Sequence, residues 1–165
     1  MNRRELFTSF GDSLKGESQK NKETSLRPPY FKDVTLFHKL CIECETKCDT
    51  VCEEDVIKIA QDGTPYLAFH INGCSYCDEC AIACTSDVLR VEDKKTINAG
   101  IRINESKCLS WQGVMCFSCK DPCLDNAIDF KAMFMPTINQ DKCTSCGFCI
   151  SRCPTSAIDI KVINS

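Results

Sequence analysis

The sequence predicts an α+β fold built from four tandem repeats, each a short strand, a cysteine loop, a helical turn and a second short strand, behind a flexible amino-terminal leader. Three observations predict it. Sixteen of the 165 residues are cysteine. They fall into four groups separated by spacers of 21, 23 and 19 residues, an evenness that marks an internal repeat. The segment after the last cysteine of each group then repeats one pattern: Cys52-Glu-Glu-Asp-Val-Ile-Lys-Ile59, Cys84-Thr-Ser-Asp-Val-Leu-Arg-Val91, Cys123-Leu-Asp-Asn-Ala-Ile-Asp-Phe130 and Cys153-Pro-Thr-Ser-Ala-Ile-Asp-Ile160. A small or acidic cap-like residue comes first, then Val or Ala, then Ile or Leu. A charge between two apolar positions comes next, which is the alternation of a short strand leaving a helical turn.

The leader comes first along the chain. Residues 1–26 are polar and rich in Lys, Ser, Glu and Gln, too poor in apolar surface to offset the entropy of ordering. Leu6, Phe7, Phe10 and Leu14 are the exception, spaced to share one helix face. Arg27-Pro28-Pro29-Tyr30 predicts a stiff, extended approach to the folded body, because proline fixes φ and biases its predecessor away from helix. Ahead of the four cysteine groups, Val34–Phe37, Tyr66–Ile71, Ile101–Ile103 and Phe134–Ile138 are the candidate leading strands.

Composition excludes several classes. Cysteine at this density suggests a disulfide scaffold, but those are normally short secreted chains, and no apolar export segment comes after Arg3-Arg4. No run approaches 18 apolar residues, so no membrane span is expected. The net charge of −3 is unevenly spread: residues 1–30 hold +2 and residues 31–165 hold −5. Nucleic acid needs a clustered basic face, which an acidic body does not supply. Only 13 residues are aromatic, a thin supply for an ordinary core, so something besides side chains is expected to fill the interior.

The cysteines say what. The groups are Cys41-x2-Cys44-x3-Cys48-x3-Cys52, Cys74-x2-Cys77-x2-Cys80-x3-Cys84, Cys108-x7-Cys116-x2-Cys119-x3-Cys123 and Cys143-x2-Cys146-x2-Cys149-x3-Cys153-Pro154. The second and fourth match the bacterial iron–sulfur run, and the fourth carries its trailing proline. Three closely spaced cysteines can wrap one side of a [4Fe–4S] cube, while the fourth opens the next helical turn and reaches the neighbouring cube. Sixteen thiolates at four per cube give four [4Fe–4S] clusters with none left over, so all sixteen cysteines are candidate iron ligands. Zinc sites usually use two C-x2-C pairs across a longer loop, and three cysteines within seven residues put too many ligands on one side of one ion. His38 and His70 lie outside the loops and read as ordinary strand residues.

These spacings describe tandem bacterial ferredoxin-like repeats: a leader over 1–30, one unit over 31–95 with the first two groups, and one over 96–165 with the last two. The sequential arrangement places Cys41, Cys44, Cys48 and Cys84 on one cluster and Cys74, Cys77, Cys80 and Cys52 on its neighbour. The second half then pairs Cys108, Cys116, Cys119 and Cys153 beside Cys143, Cys146, Cys149 and Cys123. A nested scheme, first group with fourth and second with third, fits the similar spacers almost as well. Group one has an extra residue between Cys44 and Cys48, and group three a seven-residue loop holding the only tryptophan, Trp111, beside Gly113. Loop closure costs grow slowly with length, so both can still reach a cube. Trp111 suits a cluster cover or a partner contact. Each ligated cube carries about −2, taking a loaded chain to about −11 and favouring an electropositive partner.

Arg3-Arg4, Arg27-Pro28-Pro29-Tyr30, the four groups in order and the Cys108-x7-Cys116 loop together resemble the NapF family, ferredoxin-type accessory proteins of the periplasmic nitrate reductase system. The resemblance covers nearly the whole chain. The extra residue after Cys44 and the absence of proline after Cys52, Cys84 and Cys123 depart from the family pattern. The resemblance implies a cytoplasmic iron–sulfur protein that contacts the catalytic subunit of the periplasmic nitrate reductase before its export. It would assist maturation or activation of that subunit, by electron transfer or by cluster handling. Arg3-Arg4 reads as part of a leader that is not exported. A competing reading is an electron-transfer subunit of a larger membrane-associated oxidoreductase, though permanent subunits commonly bury large apolar faces. An enzyme is not expected, because four ligands per cluster leave no open iron.

Overall fold

Residues 25–45 and 48–163 are described in a computed structural model of the chain. The leader's Arg3-Arg4 and the apolar set from Leu6 to Leu14 lie outside the described residues. Three positions after the last cysteine of each group, the backbone turns left-handed: Asp55, Asp87, Asn126 and Ser156 have φ of 54°, 57°, 48° and 48°. These are the cap-like residues of the sequence pattern. Asp and Asn tolerate this region because their short polar side chains bond locally. The turn reverses the chain out of the cysteine loop and sets the direction of the next segment.

In the carboxy-terminal half, that next segment is a strand. β3 (Ala99–Ile103) pairs antiparallel with β6 (Ile158–Val162), from Ala99 opposite Val162 to Ile103 opposite Ile158. β4 (Ile128–Lys131) pairs antiparallel with β5 (Phe134–Ile138), with a register shift at Phe130 and Lys131. Ala132 and Met133, both at positive φ, make the two-residue connection that matches strand twist. The four strands thus nest, outer pair around inner pair, with α3 (Phe148–Ser151) crossing between them in sequence. Ile101, Ile128 and Ile158 turn inward beside Cys119 and Cys149.

Among the described residues, the amino-terminal half has only the inner pair, β1 (Ile57–Ile59) with β2 (Pro65–Leu67), antiparallel and joined around Gly63. The strand expected at Val34–Phe37 is instead the helix α1 (Thr35–Leu40), and none forms at Val88–Val91, where a short 3-10 turn spans Val91–Asp93. The reason is that another segment has taken the ladder's place. The stiff stretch before residue 31 runs through the interior: Leu67 N–H donates to Leu26 C=O at 2.8 Å, Arg90 N–H to Tyr30 C=O at 2.8 Å and Lys95 N–H to Pro29 C=O at 2.8 Å. Pro28 and Pro29 have no N–H to leave unpaired, so they can be buried at little polar cost. Phe37, on the inward side of α1, is wholly buried and meets Phe31 edge-on at 5.2 Å.

The core is a consequence of these placements. Tyr30, Phe37, Val56, Val88 and Ile97 are buried in the first half. Each such side chain contributes about 1.5–3 kcal/mol. Ile150 and Ile160 pack against both the first core and the second, which makes the two continuous. Among the described residues, no helix is long and apolar enough to cross a membrane.

Candidate functional site

The two-turn geometry of the cysteine loops is set by left-handed residues at matched positions. Tyr76 and Asp78 flank Cys77 at φ of 56° and 70°, and Ser145 and Gly147 flank Cys146 at 58° and 87°. Each pair ends in a one-turn helix, α2 (Glu79–Ile82) or α3, that carries the third cysteine of its group, Cys80 or Cys149, into the interior. The chain therefore curls around a point, and the cysteines line the space it encloses.

Four cavities result. The first is lined by Cys41, Cys44, Cys48 and Cys84, the second by Cys52, Cys74, Cys77 and Cys80. Cys108, Cys116, Cys119 and Cys153 line the third, and Cys123, Cys143, Cys146 and Cys149 the fourth. Each takes three cysteines from one group and the last cysteine of the adjoining group, which is the sequential scheme and not the nested one. Their other walls are mostly apolar, with Ile59 and Leu89 in the first, Tyr30 and Val56 in the second, Ile103 and Ile158 in the third and Ile101 and Ile138 in the fourth, while Glu54, Asp78 and Glu79 border the second and Asp125 the fourth. A wide cleft bordered by Phe31, Lys95 and Asn98 holds only Cys143 of the sixteen. Neither His38 nor His70 lines a cysteine cavity. His38 sits on α1, half-exposed between Arg27 and Asp62, and His70 is exposed.

The donor set suits a polynuclear cationic core. Backbone N–H groups donate to sulfur from the turns just described: Leu89 to Cys84 at 3.4 Å, Ala127 to Cys123 at 3.3 Å and Ala157 to Cys153 at 3.2 Å. The Ser86 hydroxyl donates to Cys44 Sγ at 3.3 Å. Burial pushes Cys41, Cys74 and Cys119 up to about 11 and Cys48 up to about 12, and neighbouring cysteines push the same way. Cys80 and Cys149, the helix-borne members, are raised as well, again chiefly by burial. Thiols crowded into dry sites stay protonated until a positive centre is placed among them. Among the described residues, no three His, Cys, Asp or Glu side chains are gathered as ligands of a single metal ion. The four cysteines of each set instead line one shared space.

The 4Fe-4S binding domain family matches residues 136–159, the stretch carrying the fourth cysteine group. Ferredoxin-type protein NapF of Escherichia coli (strain K12) is 31% identical over 144 residues, spanning 85% of this chain and 87% of that protein. The chain belongs to the NapF family of ferredoxin-type proteins. Ferredoxin-type protein NapG of Escherichia coli (strain K12) is 29% identical across 91% of this chain and 75% of that protein. The methylamine utilization ferredoxin-type protein MauM of Methylophilus methylotrophus is 27% identical across 96% and 79%. A ferredoxin-like, 4Fe–4S-binding fold is thus common to sequence pattern, strand pairing and relatives.

Trp111, expected as a cover or a contact, is half-buried and donates its indole N–H to Pro136 C=O at 3.2 Å, which pins the seven-residue loop to β5. Arg27 is a residue that spacing arguments miss. It is 6% exposed, donates to Thr64 Oγ1 at 2.9 Å and to Pro65 C=O at 2.6 Å, and lies over the Phe37 ring at 4.8 Å. Gly73 and Gly147 escape the same arguments, although each is a lone glycine directly beside a cysteine, a recognised sign of close backbone approach.

Proposed function

We propose that this chain holds four [4Fe–4S] clusters, one in each cysteine cavity, with all sixteen cysteines as iron ligands. They would be arranged in two ferredoxin-like units, residues 31–95 and 96–165. It works in the cytoplasm as a non-enzymatic electron-transfer or cluster-handling accessory, and its partner is the catalytic subunit of the periplasmic nitrate reductase before export. One observation carries the cofactor reading: four cavities receive four cysteines each, and no thiol is left over. The partner rests on the family resemblance, and the acidic body suits an electropositive surface on it.

When bound, a cube of this type accepts and releases one electron at low potential. The chain's own residues determine how. Cysteine sulfurs hold the irons, the N–H groups of Leu89, Ala127 and Ala157 stabilise the ligating thiolates, and the apolar walls exclude water, a lever on potential.

Anaerobic quantification of iron and acid-labile sulfide, with electron paramagnetic resonance (EPR) of the dithionite-reduced protein, tests this. About sixteen irons per chain are expected. Zinc without sulfide would overturn the reading. Capture of the nitrate reductase catalytic precursor from cytoplasm tests the partner, whereas copurification in a fixed stoichiometric membrane complex would favour the oxidoreductase-subunit reading. A reporter fused after residue 35 that reaches the periplasm would overturn the location.

A further inference from the structure

The loops of the second and fourth cavities are in backbone contact. Cys74 N–H donates to Cys146 C=O at 2.7 Å, so residues from two different cysteine sets share a hydrogen bond. The contact exists because two side chains are missing. A Cβ on Gly73 would stand 2.4 Å from Phe148 N and 2.7 Å from Cys146 O. One on Gly147 would stand 2.4 Å from the Phe69 ring, and Gly147 is also at φ +87°. Tyr76 closes the joint from the side. Its hydroxyl donates to Thr144 C=O at 2.6 Å and accepts from Ile97 N–H at 3.1 Å. Within each half the two cavities exchange a cysteine: Cys52 of the first group lines the second cavity while Cys84 of the second group lines the first, and Cys123 of the third group lines the fourth cavity while Cys153 of the fourth group lines the third.

Resting on the four-cluster reading, we infer that Gly73 and Gly147 weld the second centre to the fourth, so that the four centres form one electron path in the order first, second, fourth, third. The first and third are its ends. Electron tunnelling falls steeply with the gap between centres. From the Cys74 sulfur the path runs through its Cβ, Cα and N–H, across one hydrogen bond, into the Cys146 carbonyl and on to that sulfur. In each step one reduced centre loses one electron and the adjacent oxidised centre gains it; no bond breaks and no proton moves. A one-electron donor of lower potential feeds one end and a one-electron acceptor empties the other. Two ferredoxin units joined by loosely packed chain would instead behave as two separate pairs.

The test uses the full-length loaded protein reduced with dithionite, comparing the native chain with Gly73→Ala, Gly147→Ala and Tyr76→Phe. The readouts are iron per chain, magnetic coupling between reduced clusters by EPR, and hydrogen exchange at the Cys74 amide. The native chain is expected to show coupling beyond that of two independent pairs. Gly73→Ala should keep its iron and lose that extra coupling, with the Cys74 amide exchanging about tenfold faster or more, and Gly147→Ala protein that is still loaded should lose the coupling as well. Full iron with unchanged coupling in both would overturn the inference. Where an alanine variant loses iron, Tyr76→Phe decides, since it removes one hydroxyl and opens no large void. Weaker coupling or faster Cys74 exchange at full iron supports the weld, while no change in either, or loss of iron here too, overturns it. Fewer than sixteen irons in the native chain would defeat the four-cluster reading, whereas sixteen irons with only pairwise coupling would defeat this inference alone.

Discussion

Arg27 is a guanidinium held almost wholly inside the protein, and that is costly unless every interaction it makes is good. It bridges the β1–β2 connection through Thr64 Oγ1 and Pro65 C=O, and rests on the Phe37 face. Its charge also acts on Cys41, lowering a pKa that burial has raised. Hydrogen bonds from charged groups are worth about 1.5–3 kcal/mol each. Arg27→Met keeps much of the volume but strands the Pro65 carbonyl, and is expected to destabilise the first half by about 2–4 kcal/mol. Iron should then leave the first cavity faster under a chelator, and unchanged loss kinetics would show that Arg27 is passive. The cysteines make a second residue-level prediction, in pH. Cys41 at about 11 and Cys48 at about 12 hold their protons at neutral pH, and iron must displace them. Reconstitution should therefore quicken as pH rises from 7 to 9, by up to about tenfold per unit if one thiolate is limiting. Growth of the iron–sulfur absorbance after mixing apoprotein with iron and sulfide reports this; a rate flat in pH would mean the thiols are already ionised.

Which elements can be read from the sequence depends on whether their partners are local. β4 and β5 are joined by two residues, and Ile128, Phe134 and Ile138 announce both strands. The four left-handed caps are visible as one small or acidic residue three places after a cysteine, because the αL turn that frees the chain is a local need. Val34–Phe37 departs from expectation for the opposite reason. Its apolar content fits a strand, but a strand needs a neighbour, and the slot beside Arg90 is filled by Tyr30. With no ladder to join, the segment coils into α1, with His38 and Lys39 in its last turn, where cations suit the helix dipole. The proline stretch reads as a lead-in, yet it is core: Pro28, Pro29 and Tyr30 wall the second cavity. Truncation separates the two ideas. A chain beginning at residue 25 should load as much iron as the full one. A chain beginning at residue 32 should lose the second cavity's share, roughly a quarter of the iron at four atoms per cube. Equal loading of the two would return the segment to the role of a leader.

Across the whole molecule the charge is as unevenly placed as the cysteines are evenly placed. Residues 41–55 carry six acids against Lys47, a net −5, and the remainder of residues 31–165 sums to zero. The acidic segment is the one that wraps the first cavity, whereas the third is bordered by the pinned Trp111 loop, where Val114 and Met115 are exposed. Adding an electron to an anionic cluster is harder among carboxylates, so the first centre should have the lowest potential of the four and the third a higher one. Electrons entering the path at the first cavity would then run downhill to the third. Some of the acidity is offset locally, as Asp55 pairs with Lys58. Glu43 and Glu45 are exposed and so make the cleaner test. A unit charge about 10 Å away shifts a one-electron potential by roughly 20–70 mV, between the limits of bulk water and the effective dielectric near a surface. Glu43→Gln and Glu45→Gln should each raise the first centre's potential by that order. Added salt should shrink the shift, since exposed charges are screened. EPR-monitored redox titration gives the answer directly. A first centre that reduces before the others, or one indifferent to both substitutions, would place the low-potential end elsewhere and reverse the direction in which this chain passes electrons.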